Sequence, residues 1–286
     1  MIALRRASLV AFSFALSSLT AFAQGQPPAQ QQGGAQQQGG SQPEDPKSDE
    51  AIGRLIDDLV TANHILVDQG VLDGYGHVSV RSPRDPTHFY MARSVAPELV
   101  TAKDILEYDL SGEPVSVKDA RLFIERFMHS EIYRARPDVM AVAHNHAPSL
   151  IPFGVTGVEL KPLYHMSAFL GGGVPVFDIR AAGGETDMLI RNPTLGKAVA
   201  KTLGSRPVAL LRGHGAVVVA TDLPRVVFRS VYTEQNAKLQ AQAMQLGGKQ
   251  VKFLDAEEAK KAEASLGGTI GRPWELWKRK ALAAQK

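Results

Sequence analysis

Three histidines have the residue type and spacing of a divalent-metal site. His144 and His146 are separated by one residue, and His214 stands between Gly213 and Gly215. Side chains two residues apart on a β-strand point to the same face, so His144 and His146 could bind one ion together. The glycines leave room for a close backbone approach at His214. Three imidazoles leave a coordination position open for substrate, which is typical of a catalytic metal site. A His-x-His pair alone also occurs among surface and core histidines.

A glutamate upstream of these histidines is a candidate proton carrier. Glu125 and His129 lie four residues apart in a segment, residues 122–136, whose pattern predicts a helix. Residues at this spacing share one helix face. Glu125 could therefore act as a general acid or base near the metal. An exposed glutamate–histidine pair is the alternative interpretation.

The composition limits the possible chemistry. The chain has 286 residues, with 32 Lys and Arg against 29 Asp and Glu, a net charge of +3. This near-balance offers no basic field for nucleic acid. The chain has no cysteine, which excludes disulfides, thiolate metal sites and a cysteine nucleophile. Any metal must therefore be held by His, Asp or Glu.

Short strands alternate with helices around these residues, which predicts a layered α/β domain. The predicted helices cover residues 49–69, 122–136, 193–203 and 224–245, and Pro148 is expected in the first turn of another. The predicted strands cover residues 77–80, 88–91, 105–110, 139–145, 208–211 and 216–220. The last two strands are expected to form a hairpin across residues 212–215.

The N-terminus has the pattern of a secretory signal. Arg5 and Arg6 precede an apolar stretch, residues 9–21, and the small-x-small cleavage pattern ends at Ala23. We expect export to a bacterial periplasm with Gln24 as the mature N-terminus; an uncleaved anchor is the alternative. No later segment approaches 18 continuous apolar residues, so no stable membrane insertion is expected.

The rest of the chain divides by composition into three parts. Residues 24–48 are rich in Gln, Gly and Pro and are expected to be a disordered linker. A folded domain is predicted over residues 49–246, which the family resemblance described below identifies as the catalytic domain, and a helical tail is predicted over residues 247–286. In the tail, Trp274 and Trp277 stand among basic residues. They could touch a membrane surface, or they could pack against the body or a neighbouring subunit.

The combined pattern resembles the class II aldolase/adducin family. It consists of Glu125 and His129, the segment from Arg136 to Ser149 with its His-x-His, and the later Arg212-Gly213-His214-Gly215; residues 76–79 also fit. The resemblance implies an α/β/α sandwich around a mainly antiparallel sheet, and a homotetramer with active sites between subunits. It implies that His144, His146 and His214 bind the metal, that Glu125 is catalytic, and that Glu125 also touches the metal without substrate. Zinc is expected, with manganese as the alternative. Adducin-like structural members have lost these histidines, and this chain keeps all three.

Departures from the family pattern concern the substrate. The family's sugar-phosphate aldolases bind phosphate partly through a Ser-Ser pair where this chain has Phe123 and Ile124, and through a Thr-Gly loop where it has Ser94 and Val95. These replacements make a phosphorylated substrate doubtful. His77 replaces an asparagine that helps to hold the enediolate, and it could donate to an oxyanion or transfer a proton. Residues 76–79 and the segments around Ser94 and His165 look more like a decarboxylase-like branch, with enzymes resembling hydroxy-methylpyridine-dicarboxylate decarboxylase.

Three functions follow from these observations. The first is metal-dependent decarboxylation of an unphosphorylated, ortho-hydroxy aromatic or similar hydroxy acid, with Glu125 and His77 as catalytic residues. The second is aldol cleavage of a hydroxy-carbonyl compound, and the third is a non-catalytic binding protein. Arg93 is a candidate clamp for a carboxylate. Ser94, His165 and Tyr232 complete the expected substrate contacts, although His165 and Tyr232 could equally be packed residues.

Overall fold

Residues 45–117 and 119–284 are described by the computed structural model of the chain. They fall within one compact unit, Pro43–Lys286. The predicted signal, residues 1–23, and most of the predicted linker lie outside the described residues. Within the described part of the chain, no helix combines the length and apolarity needed to cross a membrane.

The centre of the described fold is a seven-stranded sheet in the order β3-β2-β1-β4-β7-β6-β5. All neighbouring strands pair antiparallel except β5 and β6, which are parallel. The strands are β1 (His77–Arg81), β2 (His88–Ala92), β3 (Ile105–Asp109), β4 (Ala141–Asn145), β5 (Val176–Phe177), β6 (Val208–Leu211) and β7 (Gly215–Ala220).

Helices cover both faces of this sheet, which gives the three-layer α/β/α sandwich. The helices of the described residues are α1 (Asp49–Asp68), α2 (Arg126–Ala135), α3 (Ile151–Thr156), α4 (Arg180–Gly183), α5 (Pro193–Leu203), α6 (Leu223–Gly247), α7 (Ala256–Leu266) and α8 (Gly271–Ala284). One apolar cluster joins the sheet to α1, α6 and α8, and a second joins it to α2 and α5.

The alternation of side chains along β1 places its polar residues on one face of the sheet. In β1, Val78 and Val80 pack in the cluster with α1 and α6. Successive strand residues face opposite sides, so His77 and Ser79 face α2, where both contact His129. The face toward α2 therefore carries buried polar side chains beside its apolar core.

Most predicted elements are present, and α5 has the predicted bounds. Helix α2 is an exception, because it begins at Arg126 rather than at residue 122. The preceding residues make tertiary contacts instead: the Arg121 carbonyl accepts a hydrogen bond from Ser94 N, and the Phe123 ring lies 4.6 Å from the His77 ring. The expectation that Glu125 lies inside this helix was wrong, since Glu125 is its N-cap.

The C-terminal tryptophans pack against the body of the protein. Trp274 and Trp277 on α8 are 5% and 7% exposed and belong to the apolar cluster that contains α1 and α6. The Lys278 ammonium on the same helix pairs with Asp58 on α1, 2.5 Å away. This confirms packing rather than a membrane-facing role for the two tryptophans.

Candidate active site

Four side chains from three parts of the fold converge at one end of the sheet. His144 is the penultimate residue of β4, His146 lies just beyond that strand, His214 lies in the β6–β7 turn, and Glu125 is the N-cap of α2. One ligand atom from each of these residues lies within 4.8 Å of the other three. The Nε2 atom of His146 is 3.1 Å from Nε2 of both His144 and His214. The Glu125 Oε2 atom is 3.3 Å from His144 Nε2 and 3.6 Å from His214 Nε2.

These spacings suit a small divalent cation. Ligand atoms in a tetrahedron around zinc, with bonds of about 2.0–2.1 Å, lie about 3.3 Å apart. The His144 Nδ1 donates to the Ala216 carbonyl at 3.0 Å, which selects the tautomer of the neutral ring whose Nε2 lone pair points to the cluster. The Glu125 Oε1 accepts from the Ile190 amide at 3.0 Å, which orients the carboxylate. The donor set therefore fits a metal bound by three imidazoles and a carboxylate.

Two glycines allow the backbone segments of the cluster to approach each other. A Cβ atom on Gly215 would lie 1.9 Å from the Asn145 carbonyl oxygen, and one on Gly76 would lie 2.9 Å from the His144 carbonyl oxygen. Gly76 has a φ of +89°, in the left-handed region that favours glycine. The close approach of β7 to the end of β4 thus depends on the absence of a side chain at Gly215.

Burial and neighbouring charge determine the protonation of the cluster. Burial alone would raise the pKa of Glu125, but the adjacent His144 and His214 rings reverse this effect and hold that pKa well below its usual range. Burial, aided by the neighbouring His144 and His214 rings, lowers the pKa of His146 to about 4. Glu125 is thus ionised and His146 neutral near pH 7, as metal ligands require.

His77 begins a buried chain of hydrogen bonds. Its Nδ1 is 2.7 Å from His129 Nε2, and His129 Nδ1 is 2.6 Å from Ser79 Oγ. The Ser79 Oγ is also 2.8 Å from the Tyr133 hydroxyl. All four residues are at most 3% exposed. Burial is the largest cause that lowers the pKa of His77 well below its usual value and that of His129 to about 3, so both rings are neutral near pH 7.

A cavity of about 380 Å³ opens beside the cluster, and this volume suits a small ligand. Its polar lining comes from His77, Ser94, Arg121, Glu125 and His146. Its apolar lining includes Tyr75, Val95, Leu122, Phe123, Ile124 and Leu189. A larger cavity of about 770 Å³ is lined by Leu160, Arg206, Phe253 and others, but by none of the four convergent residues. The smaller cavity is therefore the candidate substrate site.

The structure separates the predicted site residues into two groups. His144, His146, His214, Glu125, His77 and Ser94 line the cavity or join the cluster. The Arg93 guanidinium instead pairs with Asp104, at 2.7 Å. His165 is exposed at the start of a 3₁₀ segment, His165–Gly172. Tyr232 on α6 packs against Phe228, on the opposite face of the sheet from α2. Substrate contact by these last three residues stays a prediction.

Sequence reasoning missed Arg121, Ser79 and Tyr133. Arg121 lies only two residues before Phe123, but a single arginine near a predicted helix start gives no signal of a role. Ser79 and Tyr133 are 54 residues apart and meet only in the folded chain. The alternation of His77 and Ser79 on one strand could have placed Ser79 on the same face as His77.

Similarity to known proteins is consistent with this geometry. The sequence matches the protein family described as Class II Aldolase and Adducin N-terminal domain over residues 57–241. The chain is 38% identical to Decarboxylase tropJ of Talaromyces stipitatus over 242 residues, covering 77% of this chain and 91% of the relative. It is 33% identical to 3,4-dihydroxyphthalate decarboxylase of Rhodococcus jostii over 152 residues, covering 51% of this chain and 60% of the relative.

A solved structure shares the fold. The L-fuculose 1-phosphate aldolase of Glaciozyma antarctica superimposes with a TM-score of 0.70 and 23% identity, covering 85% of this chain and 95% of the aldolase. The expected α/β/α sandwich around a mainly antiparallel sheet is confirmed by this match and by the strand pairing.

Proposed function

The chain belongs to the class II aldolase and adducin family, and from that premise we propose that it is a metal-dependent carbon–carbon lyase that decarboxylates an unphosphorylated hydroxy-aromatic acid. The observation that carries the proposal is the convergence of Glu125 with His144, His146 and His214 beside a cavity of about 380 Å³. The decarboxylases among its relatives support this reaction class.

His144, His146 and His214 would hold the metal throughout, and Glu125 would be a fourth ligand only while no substrate is bound. Zinc and manganese both accept imidazole and carboxylate ligands, and zinc is the first choice because three of the four ligands are imidazoles. When bound, the cation would act as a Lewis acid that stabilises negative charge on a substrate oxygen.

The cavity lining supports an aromatic acid without phosphate. Phe123 and Ile124 line the cavity where the family's aldolases carry serines, and their side chains cannot donate to a phosphate. Arg121 lines the same cavity, and its guanidinium could bind a carboxylate through its planar fork. The name 3,4-dihydroxyphthalate decarboxylase describes a relative whose substrate carries a carboxylate beside a ring hydroxyl. Such a molecule matches an apolar cavity with one cationic side chain.

Glu125 and His77 would move and hold protons during the reaction. The ionised Glu125 takes the proton of the substrate hydroxyl at Oε2 and returns it to the ring carbon that carries the carboxylate. The bond between that carbon and the carboxylate then breaks, carbon dioxide leaves, and the electron pair passes to the neighbouring oxygen. His77, beside Glu125 in the cavity lining, donates a hydrogen bond to that oxygen. A proton from water then neutralises the charge on that oxygen, and the hydroxide that remains combines with the released carbon dioxide as bicarbonate.

Metal analysis combined with product analysis tests this function. We expect about one zinc or manganese ion per chain in the protein that begins at Gln24, as a single four-ligand site requires. His144→Ala and His214→Ala should each lose the ion, whereas His88→Ala, whose ring pairs with Glu107, should keep it. Wild-type protein should release carbon dioxide from hydroxy-aromatic acids. Failure to bind metal even after reloading would refute the proposal, and aldehyde release from a hydroxy-carbonyl compound would assign aldol cleavage instead.

Arg121 and Arg93 offer a matched pair for the carboxylate contact. Arg121→Gln should raise KM for the acid about 10- to 100-fold, as expected for the loss of a charged hydrogen bond of about 1.5–3 kcal/mol. Arg93→Gln should leave KM close to the wild-type value, because Arg93 pairs with Asp104. The reverse ranking in steady-state kinetics would show that Arg93 is the clamp and Arg121 is not.

We also propose that the protein is a homotetramer. Measurement of its mass by light scattering tests this, and a dimer or monomer at working concentration would contradict it.

We further propose that the protein is exported to the periplasm. Cell fractionation with N-terminal sequencing tests this. The expected result is periplasmic protein that begins at Gln24, whereas cytoplasmic protein that retains Met1 would overturn it.

A further inference from the structure

A buried row of polar side chains leads from His77 into the interior between the sheet and α2. His77 and Ser79 come from β1, and His129 and Tyr133 come from successive turns of α2. Three contacts of 2.6–2.8 Å join them in the order His77, His129, Ser79, Tyr133. Desolvating four polar side chains is costly unless each is hydrogen-bonded, so this array must keep its partners matched. We name these four residues the His77 array.

Donors and acceptors along the His77 array can be assigned from its far end. The distance between the Tyr133 and Ser79 hydroxyls fits either one as donor. Because a phenol is a stronger donor than an aliphatic alcohol, we assign the donor role to Tyr133 and the acceptor role to Ser79 Oγ. Ser79 then donates its own hydrogen to His129 Nδ1. A neutral imidazole carries one N–H, and with Nδ1 accepting, His129 must carry it on Nε2. His129 therefore donates to His77 Nδ1.

These assignments also determine which nitrogen of His77 carries its ring hydrogen. With Nδ1 accepting, the neutral His77 ring carries its hydrogen on Nε2. Within the described residues, this nitrogen forms no hydrogen bond, and His77 lines the cavity beside Glu125 and His146. The end of the array that lines the cavity is thus an N–H donor available to a ligand.

We propose that His129, Ser79 and Tyr133 are positioning residues that hold His77 in the tautomer with its proton on Nε2, so that His77 acts in catalysis as a hydrogen-bond donor and not as a base. This inference rests on the proposed function, because it assigns the atom of His77 that meets the substrate oxygen. It also explains why a histidine deep in the fold, His129, contacts two polar residues of β1.

The first test observes the tautomer directly and needs no activity. Nitrogen NMR of protein labelled at histidine nitrogen distinguishes protonated from unprotonated ring nitrogens. We expect His77 to show a protonated Nε2 and an unprotonated Nδ1, with its signals assigned through a His77→Asn variant. A protonated Nδ1 on His77 would overturn the inference. Tyr133→Phe removes one oxygen atom and should populate both tautomers of His77.

The second test separates positioning from structural support. His129→Met fills a similar volume but has neither the donor nor the acceptor, and it should lower kcat about 10- to 100-fold with KM and metal content unchanged. His129→Gln, whose amide can accept from Ser79 and donate to His77, should recover most of that loss. Met128→Leu, a fully buried change on the same helix outside the array, should behave as wild type in both tests.

Different experimental results would refute the positioning role of His129 and the proposed decarboxylase function. Equal loss of kcat in His129→Met and His129→Gln, or loss of bound metal in both, would show a structural role and refute positioning. Should His129→Met not fold, the tautomer of His77 in wild type and in Tyr133→Phe still decides the matter. Wild-type protein that releases no carbon dioxide would refute the function, while the NMR result would stand on its own.

Discussion

Gly215→Ala is expected to disturb the stability of the protein and its metal site together. Gly215 begins β7, directly after His214, and faces the Asn145 carbonyl at the end of β4. An added Cβ would lie 1.9 Å from that oxygen, whereas real Cβ contacts essentially never fall below 3.0 Å. The two segments must therefore separate by at least about 1.1 Å. That shift separates His214 from His144 and His146.

The expected magnitude follows from this displacement. Overpacking costs about 1–3 kcal/mol, and a side chain at a φ of +155° adds about 1–3 kcal/mol. The two costs together are about 2–6 kcal/mol. For a domain of this size, each kcal/mol corresponds to about 2–4 °C in Tm, so we expect a loss of roughly 4–24 °C. Metal–ligand bonds tolerate about 0.2 Å, so a shift of about 1.1 Å should weaken metal binding at least about tenfold.

Calorimetry with and without EDTA separates the two effects, and metal titration against a chromophoric chelator measures the affinity. The decrease in Tm should persist in EDTA, because the steric clash does not depend on metal. Gly53→Ala is a matched control on α1: its Cβ would have no atom within 4 Å, and the change should stabilise the helix by about 0.5–1 kcal/mol.

Gly213 allows the stability cost of an added Cβ to be compared between a loosely and a tightly packed glycine. Gly213 also has a positive φ, +64°, but its Cβ would meet the flexible end of Met188 at 3.2 Å and a Val155 methyl group at an ordinary contact distance of 3.9 Å. Gly213→Ala should therefore cost less stability than Gly215→Ala, about 1–2 kcal/mol. A Gly215→Ala protein with wild-type Tm and wild-type metal affinity would refute the argument that close backbone approach builds the site.

Two further predictions concern stability. Trp277→Ala should lower the unfolding free energy measured in denaturant by about 3–5 kcal/mol, because the indole is buried. Leu276 is 55% exposed, so Leu276→Ala should change the unfolding free energy by less than about 0.5 kcal/mol. Similar losses in both variants would contradict the packing of α8. Since burial lowers the pKa of His129 to about 3 from 6.5, the unfolded state takes up the proton first, and the unfolding free energy of metal-free protein should fall as pH decreases through about 6.5. Unfolding in urea between about pH 7 and pH 5 should show a weaker pH dependence in His129→Gln and an unchanged one in Met128→Leu, a buried change on the same helix. Equal slopes in wild type and both variants would exclude His129 as a cause.

Local sequence signals predicted the elements with strong patterns. The bounds of α5 follow from Asn192 as N-cap, Pro193 in the first turn and Gly204 at the end. The hairpin of β6 and β7 follows from two apolar runs around a glycine-flanked turn. His144, His146 and His214 could be recognised because their types and spacing are written in short segments.

Weak or nonlocal patterns were decided by tertiary contacts. Strand β5 is only two residues long and pairs in parallel with β6, so it has no periodicity to detect. The late start of α2 reflects the Phe123–His77 contact and the hydrogen bond from Ser94 to Arg121, which replace a helical turn. These interactions outweigh the modest helix propensity of the segment.

The sequence by itself determined which residues could bind a metal, the family resemblance and the layered α/β arrangement, because these depend on residue type and short-range periodicity. Only the tertiary structure decided that Glu125 lies at the N-cap of α2 and meets three histidines, that Arg121 and not Arg93 lines the cavity, and that His129 contacts His77. The physical reason is distance along the chain. His77 and His129 are 52 residues apart, and their hydrogen bond forms only when the apolar core packs α2 onto β1.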